Sequence, residues 1–527
     1  MLSADMLYTD MLRGNGFAYA RFRAGGQLPQ ELPMNTTASN PYLSARRHPI
    51  LKLLTLLIAG CLIGGSLAHA ATTEQAPSSD PVAAEFPYQY FPENIPDPAL
   101  AAYFPQTWRT YAANPERNAV FTMSGGAPEL LRKGVAWKFA GAGAIALDGP
   151  PLDNNFSTTA YNIGMPVGVS AVNGIVYVGS DNGYTYALNA LNGKLVWAHY
   201  GWNMTMSNPL VVDGRVFVST GNAYFNYANT MLYVKGKRPT RGPGLNSMYA
   251  LDAKTGKKLW VHHFPGEAMP TAVYDEGFLY IGTGDGHLYK LDAVTGKLIL
   301  STDLGSFVSM SSPVLAGDYV YLGGTDPNYF YAVNKKTGAI AWKMTIPKLV
   351  ATGIGDCTPA YADGLVIQEA TVNTGDRKKP VANVLLALNA ASGKIIWQRK
   401  LGRGPVPPAM KTATPMIAGD KVLEGSPVTG DYYAFDLKTG RTLWQMHLGA
   451  QIRAGAAVAD GVAYVPYKSG DIAAIKVADG TLLGKKHLGG SFGPSSPVIV
   501  GGTLYVSNVY GWLIAIPLSD IASETLK

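Results

Sequence analysis

The sequence predicts an all-β fold, an eight-bladed β-propeller of four-stranded blades whose ring is closed by an N-terminal strand that completes the last blade. Two observations predict it, the composition and an internal repeat. Of the 527 residues, 60 are Gly, 35 are Pro, 47% are hydrophobic and 15% are charged. Soluble proteins average about 25% charged residues, so this mixture favours turn-rich β architecture over helical bundles. The hydrophobic content excludes a disordered chain, and a total of two Cys excludes a disulfide framework.

The N-terminal region has the pattern of an export signal. A basic stretch ending at Lys52 precedes an apolar run over residues 53–67, which ends in Ala68-His69-Ala70. This order is typical of a secretory signal peptide, and the run is too short for a membrane span. We predict cleavage after Ala70, with a lipoprotein-type cut before Cys61 as the alternative. The protein is therefore expected in the periplasm, or outside the cell in association with the outer membrane.

The domain boundaries follow from the signal and from the repeat described next. We predict a leader over 1–70, with the signal peptide in 34–70, an N-terminal extension and lead-in segment over 71–132, the propeller over 133–521 and a C-terminal tail over 522–527.

One motif recurs along the propeller region. Its clearest copy, Ala250–Trp260, reads A-L-D-A-K-T-G-K-K-L-W, and its turn glycine recurs 40 to 63 residues apart, at Gly193, Gly256, Gly296, Gly338, Gly393, Gly440 and Gly480. Two alternating strands flank a turn whose Gly takes a positive φ, and the Asp or Asn bonds back into that turn. A second pair of strands precedes each turn, which makes four strands per unit, the pattern of a propeller blade.

Six of the nine Trp lie at or near the end of this motif and are predicted to pack between blades: Trp137, Trp197, Trp260, Trp342, Trp397 and Trp444. The eighth unit, residues 501–516, lacks its own Gly-Lys-x-x-Trp strand, and such a strand stands at the other end of the domain in residues 133–139. A terminal strand that completes the last blade removes the open sheet edges. This arrangement predicts eight blades.

Charged residues are sparse in the loops that precede the first strand of each unit, which line the mouth of a propeller. Three of these loops carry a charge: Asp356, Lys411 and Arg453, from blades 5, 6 and 7. Arg403, in the connection before blade 6, is expected to join them. Asp326 lies in another loop of the same face and competes with Asp356 for the role of acid. A structural salt bridge is the alternative explanation of the cluster.

The cluster suits a small dianion. Lys411 and Arg453 would bind anionic groups, Arg with paired donors, and a neutral Asp356 could donate a proton. Cys357 would be the one thiol left after cleavage at Ala70, but adjacent strand residues point to opposite faces. A thiolate is also rare in acid, so covalent attack by Cys357 ranks second to the acid role of Asp356.

The sequence gives less support for nucleic-acid or metal binding. The net charge of +7 is scattered, and the densest basic run is Arg377-Lys378-Lys379. Nucleic-acid-binding proteins concentrate basic residues in longer patches, so we expect no nucleic-acid partner. His262-His263 has no third ligand at metal spacing, so no metal site is predicted. Few carboxylates suit an acidic medium, since paired carboxylates lose their stabilising charge when they are protonated.

The repeat resembles that of the PQQ-binding-like, or quinoprotein-like, propeller superfamily over about residues 105–521. This resemblance implies the fold and leaves the function open. Quinone-dependent alcohol dehydrogenases of the superfamily use PQQ, calcium and an adjacent pair of cysteines, and that pair is missing here. A non-catalytic scaffold like the outer-membrane assembly lipoprotein fits the alternative lipoprotein cut. It does not fit the insertions near 222–244 and 371–383.

The chain also resembles the tetrathionate hydrolases of acidophilic sulfur oxidisers, in its leader, eight-unit plan, sparse charge and an Asp before a middle blade, here Asp356. That resemblance implies an exported enzyme without cofactor or metal, which converts tetrathionate to sulfate, thiosulfate and sulfur. It also implies a homodimer. The expected site has Asp356 as acid, Cys357 as the second candidate, and Lys411, Arg453, Arg403 and Asp326 around the substrate.

Overall fold

The computed structural model describes residues 88–101, 103–104, 114–118, 120–121, 128–149, 164–221, 240–242, 244–407 and 412–522. The predicted leader and most of the predicted tail lie outside these residues. Within them no helix is long and apolar enough to cross a membrane.

Short elements precede the repeats. They are strand β1 (Gln89–Tyr90), a 3-10 turn (Pro92–Asn94), helix α1 (Pro98–Ala101), strand β2 (Val120–Phe121), helix α2 (Glu129–Lys133) and strand β3 (Trp137–Ala140).

The repeats then form eight antiparallel sheets. Blade 1 contains β4 (Val169–Val172), β5 (Ile175–Gly179), β6 (Tyr184–Asn189) and β7 (Leu195–Tyr200). Blade 2 contains β8 (Leu210–Val212), β9 (Arg215–Thr220), β10 (Asn246–Asp252) and β11 (Lys258–Phe264). Blade 3 contains β12 (Val273–Asp275), β13 (Phe278–Gly282), β14 (His287–Asp292) and β15 (Leu298–Asp303). Blade 4 contains β16 (Val314–Ala316), β17 (Tyr319–Gly323), β18 (Phe330–Asn334) and β19 (Ile340–Met344).

The second half repeats the pattern. Blade 5 contains β20 (Ala360–Ala362), β21 (Leu365–Asn373), β22 (Val381–Asn389) and β23 (Ile395–Gly404). Blade 6 contains β24 (Met416–Ala418), β25 (Lys421–Gly425), β26 (Asp431–Asp436) and β27 (Thr442–His447). Blade 7 contains β28 (Ala457–Ala459), β29 (Val462–Tyr467), β30 (Asp471–Lys476) and β31 (Leu482–His487). Blade 8 contains β32 (Val498–Val500), β33 (Thr503–Ser507) and β34 (Trp512–Pro517), and a 3-10 turn (Leu518–Asp520) follows.

The predicted closure of the ring is confirmed. Strand β3 pairs antiparallel with β34, with Trp137 opposite Ala515, so blade 8 is built from both ends of the domain. Neighbouring blades contact each other through their first strands, for example β4 with β8 and β16 with β20. The first strand of each blade therefore lies nearest the axis, and the loop before it opens at the mouth.

In six of the eight blades a motif tryptophan joins the blade to the next, as predicted. Trp197 Nε1 donates a hydrogen bond to Ala253 O in blade 2 at 3.0 Å. Its ring lies against Gly256, where an added Cβ would come within 2.5 Å of Trp197 Cδ2. Trp137, Trp260, Trp342, Trp397 and Trp444 make the corresponding bonds at 2.9 to 3.2 Å. The turn glycine is thus required both for its positive φ of 72° and for the approach of the ring.

Residues 114–118 and 120–121, here called the axial segment, run inside the ring. Leu315 N donates to Pro115 O at 3.0 Å, and Tyr361 N donates to Glu116 O at 2.9 Å. Strand β2 then pairs in parallel with β28, the innermost strand of blade 7. The innermost strand of each blade has one edge that is unpaired within its own blade, and this edge faces the axis. The described part of the axial segment bonds to this edge in blades 4, 5 and 7 and therefore lies in the central channel, beneath the mouth loops. The sequence predicted a lead-in here but not this position.

Candidate active site

The mouth is lined on one side by methionines. Met204 and Met206 of blade 2 pack with Met269 of blade 3 and Val167 of blade 1, and Met310 of blade 4 lies against them. All five precede the innermost strands of their blades. Thioether side chains are apolar and polarisable, so this buried cluster gives blades 1 to 4 an apolar lining beneath the mouth.

Asp356 lies in the loop before β20 of blade 5 and is 6% exposed. Thr352 Oγ1 donates a hydrogen bond to Asp356 Oδ2 at 2.8 Å. Thr352 N in turn donates to Thr325 Oγ1 of blade 4 at 3.1 Å. Two neighbouring blades therefore fix the carboxyl group at the mouth, where the sequence predicted it.

Arg453 of blade 7 lies within electrostatic reach of Asp356, as the sequence predicted. Its Nη2 donates to Gln451 Oε1 at 3.1 Å. Burial lowers the pKa of Arg453 to about 10, while the nearby Asp356 charge raises it. Lys468 adds a second positive charge here, and its pKa is lowered by burial and by Arg453. Arg453 remains cationic in neutral and acidic solution, so blade 7 offers a fixed positive charge at the mouth.

A second ion pair at the mouth was missed by the sequence analysis. Arg241 Nε lies 2.8 Å from Glu267 Oε1, with the Glu267 side chain fully buried. Burial raises the pKa of Glu267 to about 7; the Arg241 charge opposes this, and the Asp356 charge adds to it. Glu267 directly precedes the predicted mouth loop 268–270. Extending the aligned loop by one residue would have revealed it.

Cys357, the second catalytic candidate from the sequence, does not have the surroundings of a nucleophile. The side chain is 1% exposed, and Glu369 N donates to its Sγ at 3.3 Å. Burial raises the pKa of the Cys357 thiol well above its ordinary value, and the carboxyl groups of Glu424 and Glu369 raise it further. The thiol therefore lies inside blade 5, against the backbone of β21.

Behind Cys357 lies a pair of buried carboxyl groups, Glu369 of β21 and Glu424 of β25. Burial raises the pKa of Glu369 to about 8, and burial together with Glu369 raises that of Glu424. The two groups hydrogen-bond to each other when one is protonated, and Ala413 N donates to Glu369 Oε2 at 2.6 Å. In the sequence, Glu424 is the fourth residue of K-V-L-E-G. The corresponding residues of blades 3 and 4 are the apolar Ile281 and Leu322, so a carboxyl group at this position was the available signal.

The remaining predicted residues fall in three places. Lys411 lies outside the described residues. Arg403 is exposed on β23, the outermost strand of blade 5, opposite Ala382. This corrects its prediction as a site residue, because the strand continues past the expected connection and holds it at the outer edge. Asp326 is half-buried beside Thr325, in the loop that supports Thr352.

The residues present do not fit a calcium–quinone site. Within the described parts of the chain, no group of three or more His, Cys, Asp and Glu side chains is placed to hold a metal ion. The adjacent cysteine pair of the quinone-dependent dehydrogenases has no counterpart in the sequence.

The fold and the repeats define a propeller of the quinoprotein-like class. A family model described as outer membrane protein assembly factor BamB matches residues 134–270, 244–423, 308–455 and 428–520. The chain belongs, within that class, to the tetrathionate hydrolase family. It is 38% identical over 501 residues to the tetrathionate hydrolase of Acidithiobacillus ferrooxidans, and the aligned region covers 92% of this chain and 99% of that protein. It is 32% identical over 480 residues to that of Acidianus ambivalens, which covers 82% and 87%.

Solved structures agree on the fold. A europium-containing methanol dehydrogenase superposes with a TM-score of 0.52 and 12% identity, over 79% of this chain and 90% of that one. At this identity the likeness extends to the fold and not to the chemistry.

Proposed function

We propose that the protein hydrolyses tetrathionate at the propeller mouth, with Asp356 as the proton donor and without a bound cofactor. The observation that carries the proposal is a buried carboxyl group held by Thr352 and faced by Arg453, in a chain of the tetrathionate hydrolase family. A carboxyl next to a fixed cation in a largely uncharged mouth suits a reaction that binds an anion and transfers one proton.

The reaction consumes one water: tetrathionate and water give thiosulfate, sulfate, sulfur and two protons. Water attacks one sulfonate sulfur and the adjacent sulfur–sulfur bond breaks. The proton of Asp356 goes to the departing sulfur, which leaves as a protonated S₃O₃ fragment. Sulfate keeps the water oxygen, and one of the two water protons restores Asp356. The fragment then divides into sulfur and thiosulfate with loss of its proton.

The two halves of the mouth suit the two parts of this substrate. Arg453, with Lys468 beside it, supplies positive charge for the sulfonate groups. Lys411 is proposed to act with them. The central sulfur atoms are uncharged and polarisable, and the cluster of Met204, Met206 and Met269 offers a surface of the same character.

The location and assembly proposed with this function rest on the leader and on family resemblance. The signal-like segment ending at Ala70 supports export to the periplasm or the outer-membrane surface. A homodimer is proposed by resemblance. No step of the proposed reaction uses PQQ or calcium, and the described residues of the mouth include no cluster of three or more metal-ligating side chains.

The test is Asp356→Asn, with Asp363→Asn as the matched control. Asp363 is exposed in the hairpin turn of the same blade and has a positive φ, which Asn tolerates. We expect the Asp356 variant to lose at least a hundredfold in kcat near pH 3 and the control to keep parental activity. The assay measures thiosulfate and sulfate from tetrathionate with no added cofactor.

Parental turnover by Asp356→Asn would remove this residue from the acid role. Activity that appears after addition of quinone and calcium, with a visible quinone absorbance, would replace the hydrolase by a dehydrogenase.

A further inference from the structure

The Arg241–Glu267 pair has no role in the reaction as described, yet the backbone holds it rigidly at the mouth. Arg241 N donates to Gly284 O at 2.7 Å, and Glu267 N donates to Arg241 O at 3.1 Å. Gly284 N donates to Glu267 O at 2.8 Å. These bonds fix both residues on blade 3 whatever the charge on their side chains.

The pair lies across the mouth from Arg453. Glu267 precedes the innermost strand of blade 3, and Arg453 precedes that of blade 7, four positions further around a ring of eight. Asp356 belongs to blade 5, midway between them, and its charge acts on both Glu267 and Arg453. The two arginines thus flank the carboxyl group from opposite sides.

The charge that Arg241 presents depends on Glu267. An ionised Glu267 at 2.8 Å neutralises the guanidinium. A protonated Glu267 no longer neutralises the Arg241 guanidinium, whose charge can then attract an anion. The carboxyl also has little room to move, since a Cβ on Gly242 would come within 2.6 Å of Glu267 Oε2.

The other charged groups near Glu267 do not compete for this role. On the loop packed against it, Asp285 is hydrogen-bonded by the hydroxyl groups of Tyr289, at 2.5 Å, and Thr283. His287 Nδ1 lies 3.5 Å from the same carboxyl group. From blade 5, Asp356 is the facing charge.

We infer that Arg241 and Arg453 bind the two ends of a dianion from opposite sides of the mouth, and that Glu267 withholds the Arg241 charge until it is protonated. The identity of the dianion as tetrathionate rests on the proposed function. Burial, opposed by Arg241, places the pKa of Glu267 at about 7, so the second anion site forms as the solution becomes acidic.

The test is calorimetric titration of Asp356→Asn with tetrathionate from pH 5 to 9. This background prevents turnover and takes the Asp356 charge away from Glu267, so the pH dependence of binding is measured without hydrolysis. We expect a constant affinity at the acid end and a loss approaching tenfold per pH unit at the alkaline end, the limit for one linked proton. The midpoint of this pH dependence should lie below the pKa of Glu267 in the parent protein, because the Asp356 charge, which raises that pKa, is absent.

Two further variants in the same background separate the roles. Glu267→Gln should bind tetrathionate at pH 8 as tightly as at pH 5, because an amide does not neutralise Arg241. Arg241→Gln should bind at least tenfold more weakly at pH 5 and lose the pH dependence. Glu129→Gln, at an exposed position on α2, is the control and should behave as the background does. Circular dichroism confirms that each variant is folded.

The inference is overturned if Glu267→Gln keeps the pH dependence or if Arg241→Gln binds as the background does. If Glu267→Gln does not fold, Arg241→Lys replaces it as the test. The Lys keeps the positive charge, so binding by this variant must still depend on pH if the inference is correct. A titration with dithionate, a dianion of two sulfonate groups, separates this result from the proposed function. A parent protein that binds dithionate in this pH-linked way but does not hydrolyse tetrathionate would overturn the proposed reaction and leave the paired anion site standing.

Discussion

Thr352 positions Asp356 through a hydrogen bond. Its hydroxyl group donates to Asp356 Oδ2 at 2.8 Å, and its backbone N–H donates to Thr325 Oγ1 of blade 4. This contact holds the carboxyl group in one orientation at the mouth, which favours proton transfer at a fixed geometry in the proposed reaction.

Thr352→Val should lower kcat for tetrathionate hydrolysis. Losing a hydrogen bond that orients the acid costs on the order of 1 kcal/mol, which corresponds to about fivefold slower turnover. Steady-state assays measure it, with Thr352→Ser, which keeps the hydroxyl group, as the control. Parental kcat in the Val variant would separate Thr352 from proton transfer.

The sequence could predict Asp356 and Arg453 because the repeat aligns their loops and the neighbouring loops are uncharged. The surroundings of Cys357 were harder to predict, because the carboxyl groups that raise its pKa come from distant strands. Arg241 had no repeat equivalent, since it stands at the end of the insertion near 222–244. No alignment of repeats indicates where an inserted segment returns to the ring.

At the scale of the element, the Trp–Gly contact stabilises one blade against the next. Gly256 and Gly214 stand in the same blade with φ of 72° and 70°. A Cβ on Gly256 would lie 2.5 Å from Trp197 Cδ2, whereas a Cβ on Gly214 would meet nothing within 4 Å. The two positions therefore separate backbone strain from overpacking.

We expect Gly214→Ala to lower the free energy of unfolding by about 1 kcal/mol, the cost of the left-handed conformation. Gly256→Ala should lower it by about 2 to 4 kcal/mol, because overpacking adds to the same strain. Denaturant titration of both variants beside the parent measures the difference. Equal losses at the two positions would mean that the Trp197 contact adds nothing to stability.

The strands that belong to the repeat could be predicted from the sequence, and those outside it could not. The outer strand of blade 3 shows that a blade forms even where the motif has changed. It has no Trp, and Thr302 Oγ1 there donates to Gly338 O of blade 4 at 2.8 Å. The two-residue strands β1 and β2 carry no alternating pattern of their own, so neither their existence nor their partners could be predicted from sequence.

For the whole molecule, the buried pair Glu369–Glu424 links stability to pH. Burial raises the pKa of Glu369 to about 8, above its ordinary value of 4.5. A group whose pKa is raised by folding stabilises the folded state fully below its unfolded pKa, and this contribution is lost as the pH rises through the folded value. The free energy of unfolding should thus be higher at pH 4 than at pH 8.

Each of the two carboxyl groups contributes at most about 1.4 kcal/mol per pH unit to the slope between these values, the limit for one proton. Glu424→Gln should flatten it, because an amide can donate to an ionised Glu369 without a shared proton. Denaturant unfolding at pH 4, 6 and 8 measures the slope, with Glu129→Gln on the surface as the control. A parent protein that becomes more stable from pH 6 to 8 would contradict the prediction.

The architecture as a whole followed from the repeat. A period near 40 residues with four strands per unit leaves few folds available, and the displaced strand with Trp137 required closure of the ring. The sequence did not reveal the position of the axial segment inside that ring, because its described residues bond to β16, β20 and β28 mainly through backbone atoms.

The described part of the axial segment bonds to the innermost strands of blades 4, 5 and 7 through Pro115, Glu116 and strand β2. We therefore expect substrate and products to share the mouth as their route. In the proposed reaction, poorly soluble sulfur must therefore leave against the inward flow of fresh tetrathionate. Clearance of that sulfur from the vestibule, rather than bond cleavage, would then govern how fast successive turnovers follow one another.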